Sequence, residues 1–346
     1  MISIIFMKII LFYVNILTLI CACLLGCKSK PIPEGMVWIP PGEFIQGAVL
    51  SDPMAMAHEK PAHKVSISGF FMDATEVTNA QFKKFVSATN YITIAERDID
   101  WNEMKKQLPI GTPKPHDSIL QAGALTFKPS TEKLNNLYDF SQWWRWTVGA
   151  NWKHPQGPNS SIEGKEQHPV VHIAYQDALA YCDWAGRSLP TEAQWEYAAR
   201  GQQDGIYSWG ANDAKLSEKA NTWEGSFPDS NSMLDGFLGT AAVGNFPANP
   251  FGLYDMSGNV WEWTSDWYNT TYYKTLAMQN EPITDPKGAP NAYNPNNPYT
   301  PERVIKGGSF LCNASYCASY RISARMASTE DSASEHKGFR TVLNVK

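Results

Sequence analysis

Arg303-Val304-Ile305-Lys306-Gly307-Gly308-Ser309-Phe310-Leu311-Cys312-Asn313-Ala314-Ser315-Tyr316-Cys317 carries two thiols five positions apart, behind a glycine pair and a serine. Thiols at that spacing can hold a soft metal ion or cycle through a disulfide, and the residues alone leave both open. The stretch lies near the end of a 346-residue chain with 13 Trp, 15 Tyr and 15 Phe. Aromatic side chains carry the largest burial area per residue, so a sizeable core is within reach. The formal net charge is -5, and no basic run occurs past residue 30. Nucleic acid demands a positive footprint and is excluded as a partner.

The N-terminus reads as a targeting segment rather than part of the fold. Lys8 precedes an apolar stretch, Ile9 to Ile20, and then Leu24-Leu25-Gly26-Cys27. A charged start, an apolar region and small residues before a cut site describe a secretory signal. Cys27 directly after Leu-Leu-Gly resembles a bacterial lipobox, in which that cysteine becomes the lipidated first residue. An uncleaved membrane anchor is the alternative, because Ile9 to Cys27 approaches spanning length. Both readings place the globular part in the cell envelope, outside the cytoplasm, tethered to a membrane and facing periplasm or surface. Residues 1–27 are then signal and lipobox, 28–34 a linker, and 35–346 one domain.

Three cysteines remain after Cys27: Cys182, Cys312 and Cys317. A secreted domain of this size with three thiols is not a disulfide scaffold.

Along the domain, Met36–Pro40 and Gly42–Phe44 predict short strands, and the alternation from Lys64 to Phe71 predicts a half-buried strand. Thr78 with Gln81 is a capping box opening a helix that carries Phe82, Phe85 and Val86 on one face. Residues 98 to 145 have no clean period and read as a long irregular excursion. Further helices are expected from about Gln176 to Ala185, closed by Gly186, and from the Thr191/Gln194 capping box to Gly201. Residues 279 to 302 form a proline- and asparagine-rich loop. A few helices among many short strands and much coil make an α+β domain.

These residues together resemble the formylglycine-generating enzymes, or sulfatase-modifying factors. The likeness rests on Gly307 to Cys317 with Arg321, Ala324-Arg325 and Gly338-Phe339-Arg340. It extends over Met72 to Asn79, Gly149 to Trp152, His168 to His172, Leu189 to Tyr197 and Gly258 to Trp267. The Leu-Pro-Thr-Glu and Gly-Asn-Val-Trp-Glu-Trp blocks mark the broad superfamily, non-enzymes included, whereas the paired cysteines mark its oxidising members. The resemblance implies a single compact domain low in regular secondary structure and distantly similar to C-type lectins. It implies O2-dependent conversion of a cysteine, in a Cys-x-Pro-x-Arg segment of an unfolded sulfatase polypeptide, to Cα-formylglycine. A thiol reductant is a further partner, and the protein is expected to be a monomer.

Site residues follow from the same resemblance. Cys312 and Cys317 are the expected Cu(I) ligands, soft sulfur being the donor that selects this ion. Ser309 hydrogen-bonds into the oxygen pocket, and Trp261 and Tyr316 line it. Asn221, Thr222, Asp235 and Phe237 align with one Ca2+ site, and Asp255, Gly258, Val260 and Glu262 with a second. Loops offering carboxylate, amide and carbonyl oxygens suit that ion. His168 and His172 flank Pro169, so an extended chain would hold them roughly 13 Å apart, too far for one ion. They are expected to be structural, which also weighs against the superfamily's iron-dependent sulfoxide synthases. Ile322 and Thr341 occupy positions of structural disulfides in some relatives, leaving Cys182 a free buried thiol. The sequons at Asn159, Asn269 and Asn313 are read as chance. The competing function is a non-catalytic, membrane-anchored lipoprotein of the same fold, acting in surface assembly or adhesion.

Overall fold

Five short sheets and three helices longer than two turns carry the fold in the computed structural model, which describes residues 32–345 apart from residue 135. The signal and lipobox reading, Cys27 included, lies outside the described residues. Among these, no helix is long and apolar enough to cross a membrane.

The first strands are β1 (Met36–Ile39), β2 (Gly42–Gln46), β3 (His63–Ile67) and β4 (Phe70–Asp73). The alternating run from Lys64 to Phe71 is thus two strands in two sheets: β3 pairs with β2, and β4 pairs with β1. The break falls at Ser68-Gly69, where a Cβ on Gly69 would lie 2.4 Å from the Trp38 ring. All four residues of β4 are buried, so its pattern is not the one-sided alternation expected.

Helix α1 (Asn79–Thr89) starts as the sequence reads. The Gln81 amide N–H donates to Thr78 Oγ1 at 3.3 Å, and Gln81 Oε1 accepts from the Thr78 N–H at 2.8 Å. Phe82 and Phe85 then pack against Trp152, Tyr181 and Phe339. The supposed irregular excursion contains the short α2 (Trp101–Met104) and strand β5 (Gly123–Phe127), which pairs antiparallel with β6 (Trp144–Val148). The strands are far apart in sequence, so no turn signal marks the pair.

Helix α3 (Tyr175–Ala185) ends on Gly186 in the left-handed region. Helix α4 (Glu192–Arg200) starts on the Thr191/Gln194 box and is buried along its whole length, charged residues included. Beyond it come β7 (Gly225–Ser226), β8 (Ser230–Asn231), β9 (Trp261–Trp267), β10 (Ile283–Thr284), β11 (Glu302–Lys306), β12 (Met326–Thr329), β13 (Lys337–Gly338) and β14 (Val342–Asn344). The four-stranded sheet runs β12-β11-β9-β13, while β14 returns to β4 with Val342 opposite Met72. The result is an α+β domain held largely by loops.

Much of the buried charge is compensated in pairs. Arg325 meets Glu192, Lys306 and Arg200 meet Glu196, Arg340 meets Glu262, and Arg321 meets Glu59 and Asp52. Such pairs persist in an interior only when hydrogen bonds satisfy them fully. Cys182 is buried and free, Ile322 is core, and Thr341 donates its hydroxyl to Asp73. No bridge is needed at those positions.

Candidate active site

At the end of β11 the chain turns through Gly307 and Gly308, with φ of 90° and 72°. Only glycine adopts this conformation freely, and a Cβ on Gly308 would lie 2.7 Å from the Tyr320 nitrogen. The turn drops Ser309 and Cys312 into a cavity of about 370 Å³. A helical turn follows. Cys317 N–H donates to Asn313 O at 2.7 Å, and this brings Cys317 back beside Cys312. Asn313 spends its amide on Trp223 O and Gly225 O, so the sequon at this position serves the loop.

The cavity gathers the residues expected from the sequence. Cys312, Cys317, Ser309, Trp261 and Tyr316 all line it. Tyr316 stacks on Phe227 at 4.3 Å and meets Trp143 edge-on. Phe140 and Trp144, from the segment read as irregular, form part of the wall. The two sulfurs are 2.6 Å apart, longer than the S–S bond of about 2.05 Å. Both cysteines are free thiols. Burial, then the Cys317 sulfur, pushes the Cys312 thiol well up. Cys317 is pulled down by its bond from Cys312, with Ser319 and the Arg321 charge helping. Cys317 is therefore the sulfur that ionises first.

Ser309 Oγ accepts from the Leu311 N–H at 3.2 Å and lies 3.0 Å from His336 Nδ1. His336 and Lys337 also line the cavity, and neither was singled out in the sequence. Lys337 is buried without a carboxylate, its Nζ donating to Ser328 Oγ, Ser332 O and Ser332 Oγ. Burial lowers it to about 7.

Two thiols converging in a buried cavity form a soft donor set of low coordination number, which fits Cu(I). The two sulfurs would be the donors that hold such an ion.

The residues of the two expected calcium sites lie in loops. In the first, Asp235 accepts from the Thr222 and Phe237 N–H groups at 3.1 and 2.9 Å. Asn221 directs its Nδ2 to Gly239 O and Asn259 Oδ1, which leaves Oδ1 buried without a partner, as is Thr222 Oγ1. In the second, Asp255 Oδ2 accepts from the Gly244 N–H, and Oδ1 is buried and unpartnered. Glu262 gives both oxygens to Arg340 and accepts from Trp195 Nε1. Glu76, which sequence reasoning missed, is fully buried beside this cluster with Oε2 unpartnered. Burial first, then the Asp255 charge, pushes it well above the usual carboxylate range. Unpartnered hard oxygens fit Ca2+ at both places, with Glu76 and Asp255 better free to bind than Glu262. Gly258 and Val260 sit between Asp255 and Glu262, and a Cβ on Gly258 would strike Asn221 O at 2.2 Å.

His168 and His172 hold separate posts. His168 Nδ1 is 3.0 Å from Thr240 Oγ1, and His172 Nε2 is 2.8 Å from Pro155 O. His172 takes a left-handed conformation, φ 58°, so the chain there is not simply extended. Both are structural.

The sequence matches the sulfatase-modifying factor enzyme 1-like domain over residues 25–345. It is 42% identical to the formylglycine-generating enzyme of Mus musculus over 91% of this chain and 77% of that one. It is also 42% identical to the enzyme of that name from Mycobacterium tuberculosis, over 89% and 97%. A mouse relative named inactive C-alpha-formylglycine-generating enzyme 2 is 35% identical over 91% and 87%. Among solved structures, PvdO from Pseudomonas aeruginosa superposes with a TM-score of 0.57 at 22% identity, covering 92% of this chain and 96% of that one.

Proposed function

The chain belongs to the sulfatase-modifying factor enzyme 1-like family, and we propose that it is a copper-dependent oxidase of polypeptide cysteines. Its substrate is a Cys-x-Pro-x-Arg segment of an unfolded sulfatase, and its product is Cα-formylglycine. The observation that carries this reading is the convergence of Cys312, Cys317 and Ser309 on one cavity walled by Trp261 and Tyr316. The names of the relatives at 42% identity support the same reaction class.

The reaction fixes its co-reactants by balance. The thiol-bearing side chain, O2 and two hydrogen atoms from a thiol reductant give the aldehyde, one hydrogen sulfide and one water. Cysteine supplies two of the four electrons that O2 takes, and the reductant supplies the other two. Cys312 and Cys317 would hold the copper ion, which when bound supplies affinity for the substrate sulfur and for O2. The chain's own residues do the rest. Apolar walls exclude water, Cys317 provides the readily ionised sulfur, and Ser309 places a hydroxyl at the cavity floor. The calcium loops stabilise a coil-rich fold by binding only its native form.

The proposal includes a lipid on Cys27, residues 28–34 as a tether, and a monomeric domain from residue 35 on the outer side of a membrane. Radiolabelled fatty acid incorporation, lost in Cys27→Ala, checks the anchor.

The function test uses reduced protein loaded with Cu(I), incubated with O2 and a Cys-Thr-Pro-Ser-Arg peptide. The expected result is the mass change for a thiol side chain becoming an aldehyde, with both copper binding and conversion lost in Cys312→Ser/Cys317→Ser. Conversion that survives the double replacement refutes the reading. Protein that binds no copper and converts nothing returns the non-catalytic envelope protein as the better account.

A further inference from the structure

His336 is a polar cavity group that the reaction scheme above does not employ, and one edge of its ring is free. Its main chain is fixed by the Trp261 N–H, which donates to His336 O at 2.8 Å where β13 meets β9. Its ring is half-buried and lies 4.8 Å from the Trp144 ring. Nδ1 is 3.0 Å from Ser309 Oγ.

The hydrogen-bond inventory decides where the ring proton sits. A hydroxyl has one proton and two lone pairs. Ser309 Oγ already accepts from the Leu311 N–H. For its proton, the competing acceptors are His336 Nδ1 and the Cys312 sulfur, and sulfur is a weak acceptor. Ser309 therefore donates to Nδ1. Burial lowers His336 to about 3, and the charges of Lys337 and His172 act in the same direction, so the ring is neutral. A neutral ring that accepts at Nδ1 carries its proton on Nε2. That N–H has no acceptor among the described residues, and the ring edge lines the cavity that holds both thiols. Leu125, Trp144, Trp261 and Ile305 supply apolar wall to the same cavity, and the serine hydroxyls that also line it, Ser319, Ser328, Ser332 and Ser334, make no hydrogen bond to the ring. A fixed donor in such surroundings is matched by an acceptor that arrives with the ligand.

We propose that His336 donates through Nε2 to a main-chain carbonyl of the polypeptide substrate, and so sets the register in which its cysteine meets Cys312 and Cys317. This rests on the reading of the site as an oxidase of polypeptide cysteines. An extended polypeptide presents carbonyls along its whole length, and the thiol pair fixes where the reacting side chain sits. Ser309 then acts as a positioning residue for His336, holding both tautomer and ring angle.

Two measurements test it. Long-range proton–nitrogen NMR on protein labelled at histidine nitrogen should show the His336 proton on Nε2 without any substrate, and a proton on Nδ1 overturns the inference. Peptide affinity, read by fluorescence anisotropy with a labelled Cys-Thr-Pro-Ser-Arg peptide, should fall roughly 3- to 10-fold in His336→Phe, the span for one neutral hydrogen bond. KM should rise with it while kcat and copper content hold, and His336→Gln should restore part of the loss. His336→Met asks the same question if phenylalanine unfolds the protein. Unchanged affinity in both apolar variants overturns the inference. A wild-type protein that neither binds nor converts the peptide refutes the oxidase reading and this inference with it, whereas a proton on Nδ1 in protein that does convert the peptide overturns the inference alone.

Discussion

Replacing Arg321 by methionine should destabilise the protein by about 3–5 kcal/mol at neutral pH, the cost of stranding buried charge. Arg321 Nη1 lies 2.6 Å from Asp52 Oδ2 and 2.8 Å from Glu59 Oε2, while Nη2 lies 2.8 Å from Glu59 Oε1. All three side chains are at most 1% exposed, so water cannot replace the guanidinium. Burial pushes Glu59 up, but the hydrogen bonds and charge of Arg321, with Ser323, hold it below its ordinary 4.5. A carboxylate depressed on folding contributes stability that is complete above its unfolded pKa and is lost as pH falls through the folded one. In Arg321→Met the burial remains without its compensation, so Glu59 moves up instead and takes a proton on acidification. The deficit should therefore be largest near pH 7 and shrink by pH 4. Urea unfolding followed by tryptophan fluorescence at both pH values measures it. A deficit under about 1 kcal/mol at pH 7, the scale of an exposed pair, refutes the argument. So does a deficit equal at both pH values.

Three further outcomes are expected. Burial pushes Glu335 up to about 8, above its ordinary 4.5, so the wild type should lose stability as pH rises between those values, by up to about 1.4 kcal/mol per unit. Glu335→Gln abolishes that slope, and parallel urea curves at pH 6 and 8 that show no gain for the variant contradict it. Gly258→Ala combines φ of 81° with a Cβ 2.2 Å from Asn221 O, and should cost about 3 kcal/mol or more and disturb both oxygen-rich loops. Thermal unfolding should show it, and a loss within about 0.5 kcal/mol, the range of a neutral surface change, would be inconsistent with the geometry. Chelation by EGTA should lower the unfolding temperature, and Ca2+ at 100 times its Kd should restore about 2.7 kcal/mol. An unfolding temperature indifferent to both would remove calcium from the account.

The helices were legible because their ends are local. Thr78/Gln81 and Thr191/Gln194 close reciprocal bonds within four residues, and Gly186 and Gly201 take the left-handed turn that stops α3 and α4, as Asn90 does for α1. The thiol pair was legible because a single loop carries it. Strand partners were not, since β5 and β6 are joined by a long loop and the Lys64–Phe71 alternation conceals a change of sheet at Gly69. His336 escaped notice because its role depends on Ser309, 27 residues away, and nothing in its own neighbourhood announces it. Glu76 escaped for the same reason, as its neighbours Asp255 and Asn259 come from a distant loop.

The placement of the buried arginines has a consequence for the order of synthesis. Arg321, Arg325 and Arg340 all follow the thiol loop, and they neutralise Asp52, Glu59, Glu192 and Glu262, which precede it. β14, which follows all three arginines in the chain, closes the sheet begun by β1 and β4. A nascent chain that has emerged as far as Cys317 thus holds Asp52, Glu59 and Glu262 without counter-charges, Glu192 with Lys306 alone at 4.0 Å, and an open sheet edge. Folding must wait for residues as far as Asn344, and contacts of such long range form slowly. Truncation a few residues before Asn344 should then yield no half-active fragment but a chain that never folds. The thiol pair becomes competent only once the arginines and β14 behind it have been made.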